Sequence, residues 1–176
     1  DFAAAIESDI DVSVSWTWVL ADICAAARQV GRPARVHVKI DTGMSRAGSP
    51  LADLPALASA LRMAADDGLI DVVGAWSHMS RADDPSEAGN ASTANHVRIF
   101  EQGLAILADA GITPRIRHLG ATSGILWHPE THYDMVRAGI GLYGLSPDPA
   151  VSSAADLGLV PALTLSAPLT SVKVIE

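Results

Sequence analysis

Short β-branched runs take turns with alanine-rich stretches along most of this chain, and that alternation narrows the possible folds more than any other feature. The runs "IDVSVS" (10–15), "RVHVKID" (35–41), "IDVVGAWSHMS" (70–80), "IRHLGA" (116–121) and "GIGLYG" (139–144) have the β-branched content, alternation and flanking glycines of strands. Between them, "TWVLADICAAARQV" (17–30), "LADLPALASALRMAADDG" (51–68) and "STANHVRIFEQGLAILADAG" (92–111) read as helices, the last closing on Gly111. Pro129 breaks the stretch 122–137 into a short helix and a loop. Near-continuously apolar strands joined by helices imply a parallel α/β sheet, because parallel strands need crossovers and bury both faces. Five strands with four helical connections make either a partial (β/α)8 barrel or a small open doubly wound sheet, with no closing element at either end.

After Pro147 the pattern changes. Residues 148–176 mix small residues with prolines and finish on the alternating run "LTSVKVI", which reads as the first strand of a second, β-rich domain whose remainder is missing. The predicted organisation is thus a partial barrel over 1–147 and a connection with that strand over 148–176.

Charge and cysteine content exclude several function classes. A net charge of −8 with only two lysines, Lys39 and Lys173, argues against nucleic acid, whose phosphates need clustered cations. No apolar run of about 18 residues and no basic, apolar leader occur, so the reading is a soluble cytoplasmic chain without a membrane partner. Cys24, the single cysteine, lies in the apolar run "VLADICAAA" and reads as a small buried thiol in a reducing compartment.

In a barrel, chemistry gathers where strands end and βα-loops begin. Those places here carry Lys39 through Arg46, His78 through Arg81, His118 through Ser123, and Arg137 through Gly141. Each alone has an ordinary structural explanation, such as a satisfied histidine or a solvated arginine. Four along successive strands point to a ligand rim. Thr122 and Ser123, with the backbone amides around Gly139 and Ile140, have the groups of a small phosphate cradle, since glycine permits close backbone approach and hydroxyls and amides donate to phosphate. The alternative is that Gly139 and Gly141 simply begin a strand.

The segments "VHVKIDTGMSRAG", "SHMSRADD", "RHLGATSGILWHP" and "YDMVRAGIGLYGLSP" resemble the pyridoxal-phosphate-dependent alanine racemases, in order and in separation. The resemblance covers essentially the whole chain, from the fourth barrel strand through the eighth and into the connection to the C-terminal β-domain. It implies a partial TIM (β/α)8 barrel, pyridoxal 5'-phosphate as cofactor, a small amino acid as substrate and a homodimer for the full-length protein. It further implies interconversion of L- and D-alanine, supplying D-alanine for peptidoglycan.

Roles follow from the resemblance residue by residue. Arg137 corresponds to the arginine that donates to the cofactor's pyridine nitrogen, and His78 to the histidine in the same network. A guanidinium stays protonated, so it leaves that nitrogen unprotonated and weakens the ring as an electron sink, which suppresses side reactions of the carbanion. Arg46 corresponds to the arginine beside the cofactor's phenolic oxygen and the substrate carboxylate. Lys39 corresponds to the lysine whose carbamate holds that arginine. Gly139, Ile140 and Thr122 correspond to the phosphate contacts.

Two departures stand out. Where the family has Asn-Ser, this chain has Ala121-Thr122, losing an amide and keeping a hydroxyl. The family's Schiff-base lysine, in a segment like Lys-Ala-x-Ala-Tyr-Gly-His-Gly, has no counterpart here, nor does the tyrosine of the C-terminal domain. Tyr133 and Tyr143 match neither. Both bases are therefore expected outside this chain, which alone is expected to be inactive. The competing readings are a non-catalytic racemase-derived barrel remnant and a racemase for serine or another amino acid.

Overall fold

The computed structural model describes residues 1–174. Four strands, β1 (Val12–Val14), β2 (Ala34–Lys39), β3 (Ile70–Trp76) and β4 (Ile116–His118), form one parallel sheet in the order β1-β2-β3-β4. Strictly sequential order has no switch point, so the sheet is a run of consecutive barrel units and not a doubly wound one. Helices α2 (Thr17–Val30), α3 (Leu54–Asp66) and α4 (Glu87–Asp109) make the crossovers and pack on one another in turn, α2 on α3 and α3 on α4.

The apolar positions explain which face the helices cover. Along β2, Ala34, Val36 and Val38 are buried with Ile40 just beyond, and they meet Leu20 and Ile23 of α2, Leu57 and Leu61 of α3, and Phe100 of α4. Arg35, His37 and Lys39 alternate onto the opposite face and are only half-buried. The predicted two-sided apolar strand is therefore one-sided: the inner face is polar, laddered by Arg35 with Asp11 and by Arg115 with Asp71 at 2.9 Å.

A register shift between Val36 and His37 pairs His37 with Gly74 of β3. Glycine is required there by space alone. A Cβ on Gly74 would lie 2.1 Å from His37 Nδ1, so its absence lets the His37 ring cross the sheet.

Four of the five predicted strands form. The fifth, "GIGLYG", is instead a single 3-10 turn over Ile140–Tyr143. Its amides find other acceptors: Gly139 and Gly141 donate to Thr122 Oγ1 at 3.0 and 3.3 Å, Leu142 to Gly139 O and Gly144 to Gly141 O. Two further elements depart from the sequence reading. A first helix, α1 (Phe2–Glu7), is capped by Asp1, whose carboxylate accepts from Ala3 N at 3.1 Å. Helix α4 begins five residues before the predicted Ser92, because the Ser86 hydroxyl accepts from Gly89 N at 3.1 Å and outweighs the poor propensity of Gly89 and Asn90.

The short helix expected after residue 121 is α5 (Thr122–Trp127), followed by a 3-10 turn at Pro129–Thr131. Among the described residues, 148–174 form no helix or strand, and Ile175 of the run "LTSVKVI" lies outside them. Among the described residues no helix is long and apolar enough to cross a membrane.

Candidate active site

Lys39, Trp76 and His118 end β2, β3 and β4 in register and share the inner face. The Trp76 indole stacks on the His118 ring with centroids 5.6 Å apart and planes 9° from parallel. Lys39 Nζ lies 4.1 Å and Arg137 Cζ 4.9 Å from the same indole. One ring thus spaces two cations.

Arg137 is the most anchored side chain of the group. Its Nη1 donates to His118 Nδ1 at 3.0 Å and His118 O at 3.1 Å. Its Nη2 donates to Ser77 O at 2.8 Å, Leu119 O at 3.2 Å and His78 Nδ1 at 3.2 Å. Because guanidinium only donates, both histidines accept through Nδ1 and carry their protons on Nε2. His118 then donates from Nε2 to His37 Nδ1 at 2.9 Å, and His37 from its own Nε2 to Asp11 Oδ2 at 3.1 Å. A single directed chain runs from Arg137 through two imidazoles to a carboxylate.

Burial and the Arg137 charge hold His118 down at about 4 and also lower His78, so both are neutral. Burial first, then Arg46 and Arg137, lower the Lys39 ammonium as well, and among the described residues no carboxylate pairs with it. Arg46 is exposed on the loop after β2 and makes no side-chain hydrogen bond among the described residues.

That loop is built to be compact. Asp41 Oδ1 accepts from Gly43 N and Ser45 N, each at 3.0 Å, and the loop closes through Asp41 N to Ser49 O and Ser49 N to Lys39 O, both 2.8 Å. Gly48, at φ +119°, lets the returning chain lie against Asp41, where a Cβ would sit 2.6 Å from the amide nitrogen.

A cleft of about 310 Å³ joins the candidate groups. Its walls include Met44, His78, Ser80, Thr122, Gly139 and Ile140. Lys39 and Arg46 are not among its lining residues; of the predicted cofactor contacts, Thr122, Gly139 and Ile140 line it and Arg137 is linked to its wall through His78. They fit a phosphorylated aromatic cofactor. Arg137 has Nε left after both terminal nitrogens are engaged, and the Ile140 amide has no protein acceptor among the described residues. The Thr122 hydroxyl lies within a cradle that side chains would fill: a Cβ on Gly139 or Gly141 would lie 3.4 Å from Thr122 Oγ1 or 2.9 Å from its Cγ2. Ala121 stands at the N-cap of α5 and gives it no side-chain cap.

His37, Trp76 and His96 were not singled out from sequence. The one sequence signal at His37 was its polar place in an alternating strand, which did not mark it as a candidate. His96 on α4 carried none.

Comparison with known proteins agrees with this geometry. Residues 1–147 match the family described as "Alanine racemase, N-terminal domain". The chain is 45% identical over 165 residues to the alanine racemase of Frankia casuarinae, covering 94% of this chain and 42% of that protein. It is 42% identical over 170 residues to that of Streptomyces coelicolor, covering 96% and 43%. It therefore spans well under half the length of these relatives. Among solved structures, the Streptomyces lavendulae alanine racemase superposes with a TM-score of 0.85 at 42% identity, over 92% of this chain and 41% of that one. The Streptomyces coelicolor enzyme superposes with a TM-score of 0.86 at 40% identity, over 91% and 41%. The four parallel strands and their helices are accordingly part of a TIM barrel, and the chain belongs to the alanine racemase family.

Proposed function

We propose that this chain supplies the cofactor and carboxylate contacts of an alanine racemase, and that the protein carrying it interconverts L- and D-alanine with pyridoxal phosphate as a homodimer. The observation that carries this reading is the guanidinium of Arg137, fixed by five acceptors with Nε remaining to donate to an aromatic nitrogen. Pyridoxal phosphate, when bound, supplies the electron sink that lets an amino acid's α-proton leave. Arg137 stays charged although burial lowers it, so it holds the ring nitrogen as an acceptor only. The Thr122 hydroxyl proton and the Ile140 N–H hold the phosphate, the Gly139 N–H fixes Thr122 Oγ1 beside it, and His78 orients Arg137 from the cleft wall.

Arg46 takes the substrate carboxylate. The lowered Lys39 leaves free amine available, and its nitrogen can bond the carbon of carbon dioxide while one proton goes to solvent. The resulting carbamate is an anion between Arg46 and Arg137, turning their repulsion of an ammonium into attraction.

The two bases on opposite faces of the α-carbon lie outside this chain in our reading. Tyr133 does not serve as one: burial and its hydrogen bond to Glu101 Oε1 at 2.8 Å push its phenol well up. The exposed run Leu142, Tyr143 and Leu145 beside the cradle supports an assembly that covers it.

The test is the circular dichroism of L-alanine incubated with the full-length protein. Racemisation, lowered at least about 100-fold in kcat/KM by Arg46→Ala with cofactor retained, supports the reading. No turnover of alanine, with turnover of serine in parallel, would refute it.

A further inference from the structure

Behind the loops carrying Arg46 and His78 lies a buried histidine that the proposed chemistry does not use. His96, on α4, is 2% exposed, and its ring touches both loops. In the loop after β3, the Ser80 amide donates to His96 Nε2 at 3.2 Å, and an amide N–H only donates, so Nε2 is the acceptor. The imidazole proton is therefore on Nδ1, which donates to Thr42 Oγ1 at 2.7 Å in the loop after β2.

From there the order is also forced. Ile40 O only accepts, so Ser77 Oγ donates to it at 2.6 Å and receives the Thr42 hydroxyl proton at 2.9 Å. Ser80 Oγ lies 3.0 Å from Nε2 as a second donor. Each hydrogen from α4 to the end of β2 has one place. Among the described residues, the side-chain hydrogen bonds between the two loops all belong to this chain. Ser77 immediately precedes His78, and Thr42 is four residues before Arg46.

We propose that His96, as the neutral Nδ1–H tautomer, is a positioning residue that sets the Arg46 loop against the His78 loop. The proposal rests on the roles given above to Arg46 and His78. Protonation at Nε2 would set two donors face to face, the ring N–H and the Ser80 amide. Burial disfavours it, and of the charged and titratable groups facing the ring, Asp41 favours it while His78 is neutral.

The experiment uses the full-length protein with cofactor bound. Ring 15N shifts of His96 should report Nδ1–H through neutral pH. His96→Leu should lower kcat/KM for alanine about 10- to 100-fold through kcat while cofactor stays bound, and speed exchange of the Gly43 and Ser80 amides about tenfold. His96→Asn, whose amide can still donate to Thr42, should recover part of both effects. An Nε2–H tautomer, or wild-type exchange and kcat/KM in His96→Leu, would overturn the proposal. So would equal loss of cofactor and cooperative folding in both variants, which would make His96 a packing residue. If the wild-type protein turns over no alanine, the racemase reading fails, while tautomer and amide exchange still decide whether His96 joins the loops.

Discussion

Gly74→Ala isolates the contact on which the inner-face histidine chain depends. Alanine is conformationally acceptable in β3, and glycine in a strand interior is ordinarily the worse residue by about 0.5–1 kcal/mol. Here the sign should invert. The new Cβ falls 2.1 Å from His37 Nδ1, 2.4 Å from Cε1 and 2.7 Å from Cγ, so no small adjustment relieves it and the ring must swing away. Swinging breaks the bonds to His118 at 2.9 Å and Asp11 at 3.1 Å, about 1 kcal/mol each. It also strands the buried His118 Nε2–H, at about 1–3 kcal/mol. A net destabilisation of about 3 kcal/mol follows. In a His37→Ala background the clash and those bonds are already gone, and the same substitution should stabilise by about 0.5–1 kcal/mol. Urea denaturation of the four proteins in a double-mutant cycle should therefore give a coupling of about 3–4 kcal/mol. Equal effects of Gly74→Ala in both backgrounds would refute the reasoning, because the cost would then lie in the backbone.

Further outcomes follow from the same structure. Unfolded imidazole protonates near 6.5 and His118 only near 4, so the unfolded chain binds the extra proton between them and stability falls as pH drops through that window. The loss should approach about 3 kcal/mol from His118 alone, read by urea midpoints from pH 7 to 4, and a flat profile would contradict it. Thr122→Val removes the acceptor of the Gly139 and Gly141 amides and should cost about 1–3 kcal/mol and weaken cofactor binding about tenfold, whereas Thr122→Ser should be near wild type by spectroscopic titration. The 176 residues alone should self-associate with concentration in sedimentation, because β1 and β4 each pair on one side only and Leu163, Leu165 and Leu169 are more than four-fifths exposed. A monomer at all concentrations would show those edges to be protected.

The sequence made the α/β alternation legible because its strands and helices differ in period and are punctuated by glycine. Helix α2 lies at the predicted residues because an apolar stripe and Gly31 mark it at both levels. "GIGLYG" misled because alternation states only that small and apolar residues alternate; whether the amides pair with a strand or with Thr122 is decided by a residue 17 positions away. Lys39, Arg46, His78, Thr122, Gly139 and Ile140 were readable as candidates because they follow strand ends or match motif positions. His37 and His96 were not, since one depends on a missing Cβ across the sheet and the other on two loops folding back onto a helix face.

The central claim is that Arg137 keeps the cofactor's pyridine nitrogen unprotonated at the heart of a racemase site. The direct measurement is the 15N shift of ring-labelled pyridoxal phosphate bound to the full-length protein. The account predicts an unprotonated, hydrogen-bonded nitrogen from about pH 6 to 9, since guanidinium donates and does not accept across that range. A protonated ring nitrogen in the wild-type protein would contradict it.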